Sequence, residues 1–346
     1  MRKLIIIFIW VMGFAGQSYG DWLDEAIDKE MTKYHKSYHL NSHPVYSPDG
    51  KYAAFTACLM TYSNFIYLMD IKNNHSLVVL NNQDFIYYFT FSKDSKKILY
   101  LKHINGKSTN EYFCEFVIID LPKKNQKVVY KTTNTSIHMP RFSQDGTKIY
   151  FFKFEEVGKI IGKRIYCVGT NGQNEIRMED RFYFNIDNIV SLPDNKTIVY
   201  SGEGGYFEKD NEMGIYQADE DTRKEIPIVY GSTSNMTQYR LAFSYSYSNY
   251  VYSFGWYKIY KLTVNNEGEY NPDIEPEPIA FMYRHKGSYE DISLSPNGKK
   301  FLFNESFNLG FASTNLLMEM KINGNGLRVI PVRDENLQKA KNYWEK

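Results

Sequence analysis

A tight turn followed by a strand-like run occurs six times along the chain, and this restricts the fold more than any other feature of the sequence. Tyr46-Ser47-Pro48-Asp49-Gly50-Lys51 leads into Tyr52-Ala53-Ala54-Phe55, and Phe91-Ser92-Lys93-Asp94-Ser95-Lys96 leads into Ile98-Leu99-Tyr100. Phe142-Ser143-Gln144-Asp145-Gly146-Thr147 and Leu192-Pro193-Asp194-Asn195-Lys196 precede Ile149-Tyr150-Phe151 and Ile198-Val199-Tyr200. Phe243-Ser244-Tyr245-Ser246-Tyr247-Ser248 and Leu294-Ser295-Pro296-Asn297-Gly298-Lys299 precede Tyr250-Val251-Tyr252 and Phe301-Leu302-Phe303. The Asp or its equivalent falls at 49, 94, 145, 194, 246 and 297, a spacing of 45 to 52 residues. Self-similarity at such a period means a stacked or radial array of small units.

Each unit can be read physically. Asp and Asn bond their own backbone in turns, and Gly tolerates positive φ. The flanking aromatic and branched residues suit strands. A second run follows each turn, among them Ile66-Tyr67-Leu68-Met69, Phe116-Val117-Ile118-Ile119 and Leu316-Leu317-Met318-Glu319-Met320. A weaker fourth run, such as Ser76-Leu77-Val78-Val79-Leu80, completes the unit. Four short strands in each of six units predict an all-β chain, a six-bladed β-propeller of four-stranded blades. The repeat resembles that of the TolB-type propeller family, which it shares with the tricorn protease and with the propeller domains of dipeptidyl-peptidase-like enzymes. The resemblance covers residues 42–332 and implies a fold, because one superfold hosts many activities. TolB itself carries an α/β domain ahead of its propeller. Only about twenty residues separate the expected leader from the first repeat here, so the resemblance does not bring TolB's cellular role with it.

The ends of the chain read differently. Residues 1–20 have the layout of a secretory signal peptide: Arg2 and Lys3, an apolar run from Leu4 to Ala15, and small Ser18 and Gly20. The run is too short for an ordinary membrane span. The mature protein is therefore expected to be periplasmic or secreted, with no stable membrane span, and to be a monomer. Residues 21–41 are expected to form a helical segment, with Trp22, Leu23, Ala26, Ile27, Met31 and Tyr34 on one face. Residues 333–346 are expected to form a short C-terminal helix. His35, His39 and His43 repeat every four residues, which on a continuous helix would stack three imidazoles. Pro44 drives His43 out of helical geometry, so no metal site is expected. Cys58, Cys114 and Cys167 read as small buried hydrophobes, with a Cys114–Cys167 bridge as the alternative.

Function is narrowed by exclusion. Without Arg2 and Lys3 the chain carries 39 basic against 40 acidic residues, which offers no surplus for nucleic acid. The one G-x-S-x-G run, Gly16-Gln17-Ser18-Tyr19-Gly20, lies inside the expected signal peptide, and there is no P-loop, dinucleotide fingerprint or H-E-x-x-H. No catalytic residue, metal or cofactor is therefore assigned. In a propeller the first strand of each blade lines the central channel. Aligning the units on their turns puts His43, Tyr88, His138, Asp187, Arg240, Glu290 and Asp291 at the start of that strand, ringing the channel mouth. A polar set of mixed charge suits a polar ligand or a partner's loop. The expected function is an exported binding or scaffold protein that recognises a protein or glycan through one face. The alternative is a metal-assisted polysaccharide lyase, since some such lyases resemble this propeller and use histidines at the mouth; His43 and His138 would be the candidates.

Overall fold

A computed structural model describes residues 39–332, with interruptions between strands of which the longest are 205–212, 232–239, 243–249 and 264–276. The expected signal peptide, the helix over 21–38 and the C-terminal helix lie outside the described residues. No helix occurs among the described residues, so none there is long and apolar enough to cross a membrane. The first strand begins at His39. His39 therefore lies in a strand.

Strands follow one another in fours. The first unit holds β1 (His39–Tyr46), β2 (Tyr52–Cys58), β3 (Phe65–Asp70) and β4 (Leu77–Asn81). The second holds β5 (Phe85–Phe91), β6 (Lys97–Asn105), β7 (Tyr112–Asp120) and β8 (Asn125–Thr133). The third holds β9 (Ile137–Phe142), β10 (Lys148–Val157), β11 (Ile160–Gly169) and β12 (Ile176–Arg177). The fourth holds β13 (Tyr183–Ser191), β14 (Thr197–Gly204), β15 (Met213–Asp219) and β16 (Glu225–Gly231). The fifth holds β17 (Arg240–Ala242), β18 (Tyr250–Phe254), β19 (Lys258–Thr263) and β20 (Glu277–Phe281). The sixth holds β21 (Gly287–Leu294), β22 (Lys300–Asn308), β23 (Ser313–Lys321) and β24 (Arg328–Val329). All pairings are antiparallel between consecutive strands of a unit, with one exception.

The exception corrects the expectation of six separate blades. Hydrogen bonding joins the strands into five sheets, because the third and fourth units form one eight-stranded sheet. The reason is local. β12 is two residues long and covers β11 only at Tyr166 and Cys167. The uncovered edge of β11 then pairs with β13 at Lys163↔Tyr183. An unpaired strand edge is a ready template for another strand. The first strands β1, β5, β9, β13, β17 and β21 each pack beside the next, and β21 returns to β1.

The turns between first and second strands share one hydrogen-bond pattern. Ser47, Ser92 and Ser143 hydroxyls donate to Asp49, Asp94 and Asp145 Oδ1 at 2.6 Å. The same carboxylates accept the amides of Lys51, Lys96 and Thr147 at 3.0 Å. The next amides, of Tyr52, Lys97 and Lys148, donate back to the serine Oγ at 2.8, 3.0 and 2.9 Å. Gly50, Ser95, Gly146, Asn195 and Gly298 all have φ between 59 and 73 in these turns, the left-handed region that Gly and Asn tolerate best.

The core lies between neighbouring units, so the central strands are buried on both faces. Along β2, Phe55 and Ala57 pack toward the sixth unit and Ala54 toward the second. Along β6, Ile98 and Tyr100 face the first unit, while Leu99 and Leu101 face the third. Period two thus serves two cores at once, which is why the runs read as continuously apolar. Tyr67, Tyr100, Tyr150, Tyr183, Tyr200 and Tyr216 are fully buried. Several keep their hydroxyls satisfied, as when Tyr150 donates to the Asn195 carbonyl at 2.8 Å and the Tyr183 and Tyr200 hydroxyls meet at 2.6 Å. Cys114 and Cys167 are free buried thiols, which corrects the alternative of a bridge between them.

Among the described residues no strand is exchanged between the first and sixth units, and side chains tie the seam. The buried Glu319 carboxylate accepts from Tyr46 Oη at 2.8 Å, Lys300 Nζ at 3.0 Å and Arg328 Nε at 2.7 Å. The Tyr46 amide donates to Ser293 Oγ at 3.1 Å. Burial alone would raise the Glu319 carboxyl, but the bonds from Lys300, Tyr46 and Arg328 outweigh it and hold it below its ordinary value of 4.5. Its contribution is therefore present above pH 4.5 and lost as pH falls through the lower folded value. Tyr46→Phe should cost about 1–2 kcal/mol in urea unfolding. Glu319→Gln should cost more, because two cations lose their counter-charge. An unchanged urea midpoint for Glu319→Gln would show that the ring does not close through this carboxylate.

Candidate functional site at the bulged inner strands

The first strands are not regular. The β1 register against β2 slips between Ser42 and Val45, and that of β5 against β6 slips between Ile86 and Phe89. In β9 the slip falls between His138 and Arg141, in β13 between Ile186 and Asn188, and in β21 between Glu290 and Ser293. A bulge turns side chains out of the pleat and increases local twist. Met139, in the β9 bulge, takes φ 51, strained for a residue that is not glycine.

The residues expected at the strand start sit on these bulges or beside them. His43 and Asp187 fall within the slips of β1 and β13; Glu290 and Asp291 stand at the slip of β21. Arg240 opens β17, opposite Phe254. The side chains of His43, Asp187, Arg240, Glu290 and Asp291 lie outside the described residues. Those of Tyr88 and His138 do not, and the fold brings them together across the seam between the second and third units. Their rings meet edge to face with centroids 6.0 Å apart.

His138 is the centre of a cluster. Its Nε2 is hydrogen-bonded to Ser136 Oγ at 2.8 Å. Its ring lies 6.2 Å from that of His103 and 5.1 Å from that of Phe154. Lys163 pairs with Phe154 across the β10–β11 hairpin and holds its ammonium 5.4 Å from the centre of that ring. Cys114, opposite His103 in the β6–β7 hairpin, puts its Sγ 3.8 Å from His103 Nε2. His103, Ser136, Phe154 and Lys163 were not singled out in the sequence, and Cys114 was read there as a small buried hydrophobe. Their signal is one of register: Ser136 stands two residues before His138, just ahead of β9, and the other pairs oppose each other in hairpins.

The electrostatics keep this cluster uncharged. Burial, the Lys163 ammonium and then His103 bring His138 down to about 4. Burial lowers His103 and raises the Cys114 thiol. A thiol kept protonated beside a neutral imidazole is a poor nucleophile. The group does not fit a metal either: Cys114 is turned onto His103, and no group of three or more His, Cys, Asp or Glu among the described residues converges as metal ligands would. What the cluster offers is a neutral imidazole, a hydroxyl and aromatic edges, which suits hydrogen bonding and stacking.

Four-stranded units set side by side around a ring of first strands define a β-propeller. No protein-family model matches the sequence, and no curated protein matches it. Solved structures do. TolB from Acinetobacter baumannii superposes with TM-score 0.56 at 15% identity, over 89% of this chain and 67% of that one. An oligogalacturonate lyase in complex with manganese gives 0.55 at 13% identity, over 86% and 79%. The β-propeller domain of the Trilobed protease from Pyrococcus furiosus, described as having an open velcro topology, gives 0.50 at 14% identity, over 85% and 82%. The chain carries a TolB-like β-propeller. At these identities the likeness is one of fold.

Because the His138 value is depressed from 6.5 to about 4, its contribution to stability is present above pH 6.5 and lost as pH falls toward 4. Histidine NMR should titrate His138 with a midpoint near 4. Lys163→Met should move that midpoint up while leaving it below 6.5, since burial is the larger cause. A wild-type midpoint at 6.5 would show that the cluster is open to water.

Proposed function

We propose that this protein is an exported, non-enzymatic binding module that engages a protein or glycan through the bulged face of its ring. In this reading the eight-stranded sheet acts as two blades joined at one pair, so that six first strands, five of them bulged, surround the axis. The mouth residues His43, Tyr88, His138, Asp187, Arg240, Glu290 and Asp291 form the contact surface. The observation that carries the reading is the recurrent bulge: five of the six first strands slip register at the same place, where an aligned polar residue sits. A bulge weakens a ladder, and its repetition at one level of the ring supports a use for the side chains it turns out. The neutral His138–Ser136 pair beside Tyr88 supports a hydrogen-bonding and stacking ligand, as a sugar or an aromatic protein side chain would be.

The lyase reading draws on the fold likeness and on two histidines. Of these, His138 is committed to Ser136 and to aromatic neighbours, and a metal site needs at least three protein ligands with supporting partners. The binding reading uses the observed contacts as they stand.

The test is ligand retention on a glycan array and in crosslinking to an envelope extract. Wild type is compared with Tyr88→Ala and with Arg240→Ala combined with Asp291→Ala. Each variant should lose at least about tenfold in apparent affinity, the mark of an interface hot spot. Ligands held equally by wild type and both variants would remove the ring mouth from consideration.

A further inference from the structure

The tight turns that follow the bulged strands carry a second feature. At two seams the tight turns of neighbouring units are tied by one hydrogen bond. The Asp49 amide donates to Ser95 Oγ at 2.9 Å, and the Asp145 amide donates to Asn195 Oδ1 at 2.7 Å. Ser95 and Asn195 hold the same place in their turns, with φ 59 and 60. In both cases a short polar side chain on a left-handed residue hands an oxygen to the preceding unit's turn.

The seam between the second and third units lacks this tie. The equivalent residue is Gly146, at φ 73, and a Cβ added there would meet nothing within 4 Å. No side-chain oxygen of the third unit therefore reaches the Asp94 amide. A cavity of about 300 Å³ opens at this point, lined among others by Lys93, Asp94, Lys97, Phe142, Gln144 and Gly146. Another seam shows how a glycine here can be covered instead. A Cβ on Gly50 would meet Pro296 Cγ at 3.5 Å, whereas the residue in the place of Pro296 at the open seam is the exposed Lys93.

The charges define the occupant further. Asp94 and Asp145 are each held below the ordinary carboxylate range: burial would raise them, but bonds from Ser92 and Ser143 and from the neighbouring amides outweigh it. Both are thus ionised, and they balance Lys93 and Lys97. A charged ligand gains nothing from such a wall, while an uncharged oxygen acceptor gains the Asp94 amide.

We propose that this seam is a docking pocket for a tight turn of a partner polypeptide that presents an Asn or Ser side chain. That side chain accepts from the Asp94 amide as Asn195 and Ser95 accept from their own neighbours. The chain's own ties supply the template for the ligand's chemistry. None of the proposed mouth residues lines this pocket, so its test is separate from that of the ring-mouth reading.

The test uses the isotope-labelled full chain and a cyclic peptide carrying the chain's own turn, Leu192 to Thr197. Saturable shifts of the Asp94 and Gly146 amide resonances are expected. They should weaken at least tenfold for the peptide's Asn195→Ala version. They should also be lost in the Gly146→Asn protein, whose unfolding midpoint should rise because the missing tie is restored. Lys93→Pro, which covers Gly146 as Pro296 covers Gly50, gives a second route to the same loss should the asparagine variant fold poorly. Absence of shifts in wild type, or equal shifts in both variants, would overturn the proposal. Shifts produced by N-acetylglucosamine and not by the peptide would overturn the assignment to a polypeptide.

Discussion

A ring built from consecutive strands must bring together two edges that the chain visits at its beginning and its end. Here, among the described residues, no strand crosses between the first and last units, and a buried carboxylate ties the seam. Glu319 accepts a phenol from the first unit and two cations from its own. Burying a carboxylate is costly unless it is paired and hydrogen-bonded, and these donors meet that condition. Tyr46 also belongs to the apolar cluster that joins Phe55 and Tyr67 to Leu302 and Leu317. The polar bond therefore sets the register of a seam whose stabilisation comes mostly from apolar burial.

The other seams show the same division. Between units the core is apolar and aromatic, as where Phe116 of the second unit meets Phe151 of the third edge to face at 5.1 Å. At the turn end, single polar ties fix how adjacent units are rotated. They exist where the turn's left-handed residue carries an oxygen and are missing where it is glycine. Glycine relaxes the backbone at that φ but gives up the tie, and at the second seam this leaves a cavity.

The bulged face differs in kind. Backbone irregularity repeats there in five of the six first strands. His138 is buried enough to stay neutral at physiological pH yet keeps a hydrogen-bonded hydroxyl beside it. A neutral imidazole can donate or accept according to its tautomer, and that versatility suits recognition.

Much of the architecture is local and could be read directly. The turns are closed by hydrogen bonds spanning two to five residues, so Ser, Asp and Gly at fixed offsets announce them. The strands show as apolar runs because both their faces meet a neighbour. Of the positions aligned on the turns, Arg240 opens its strand, whereas His43, Asp187 and Asp291 fall on register slips within theirs. A bulge is a mismatch between two strands and leaves no mark in either one alone. What only the tertiary structure decided depends on distant residues or on lengths. Tyr46 and Glu319 are separated by 273 residues. The fusion of two units follows from β12 being too short to cover the edge of β11. The His103–His138 cluster arises because two hairpins present their faces at one seam. Contacts of this kind depend on how closed units stack, and that is settled by packing across the whole ring, which no local stretch of sequence encodes.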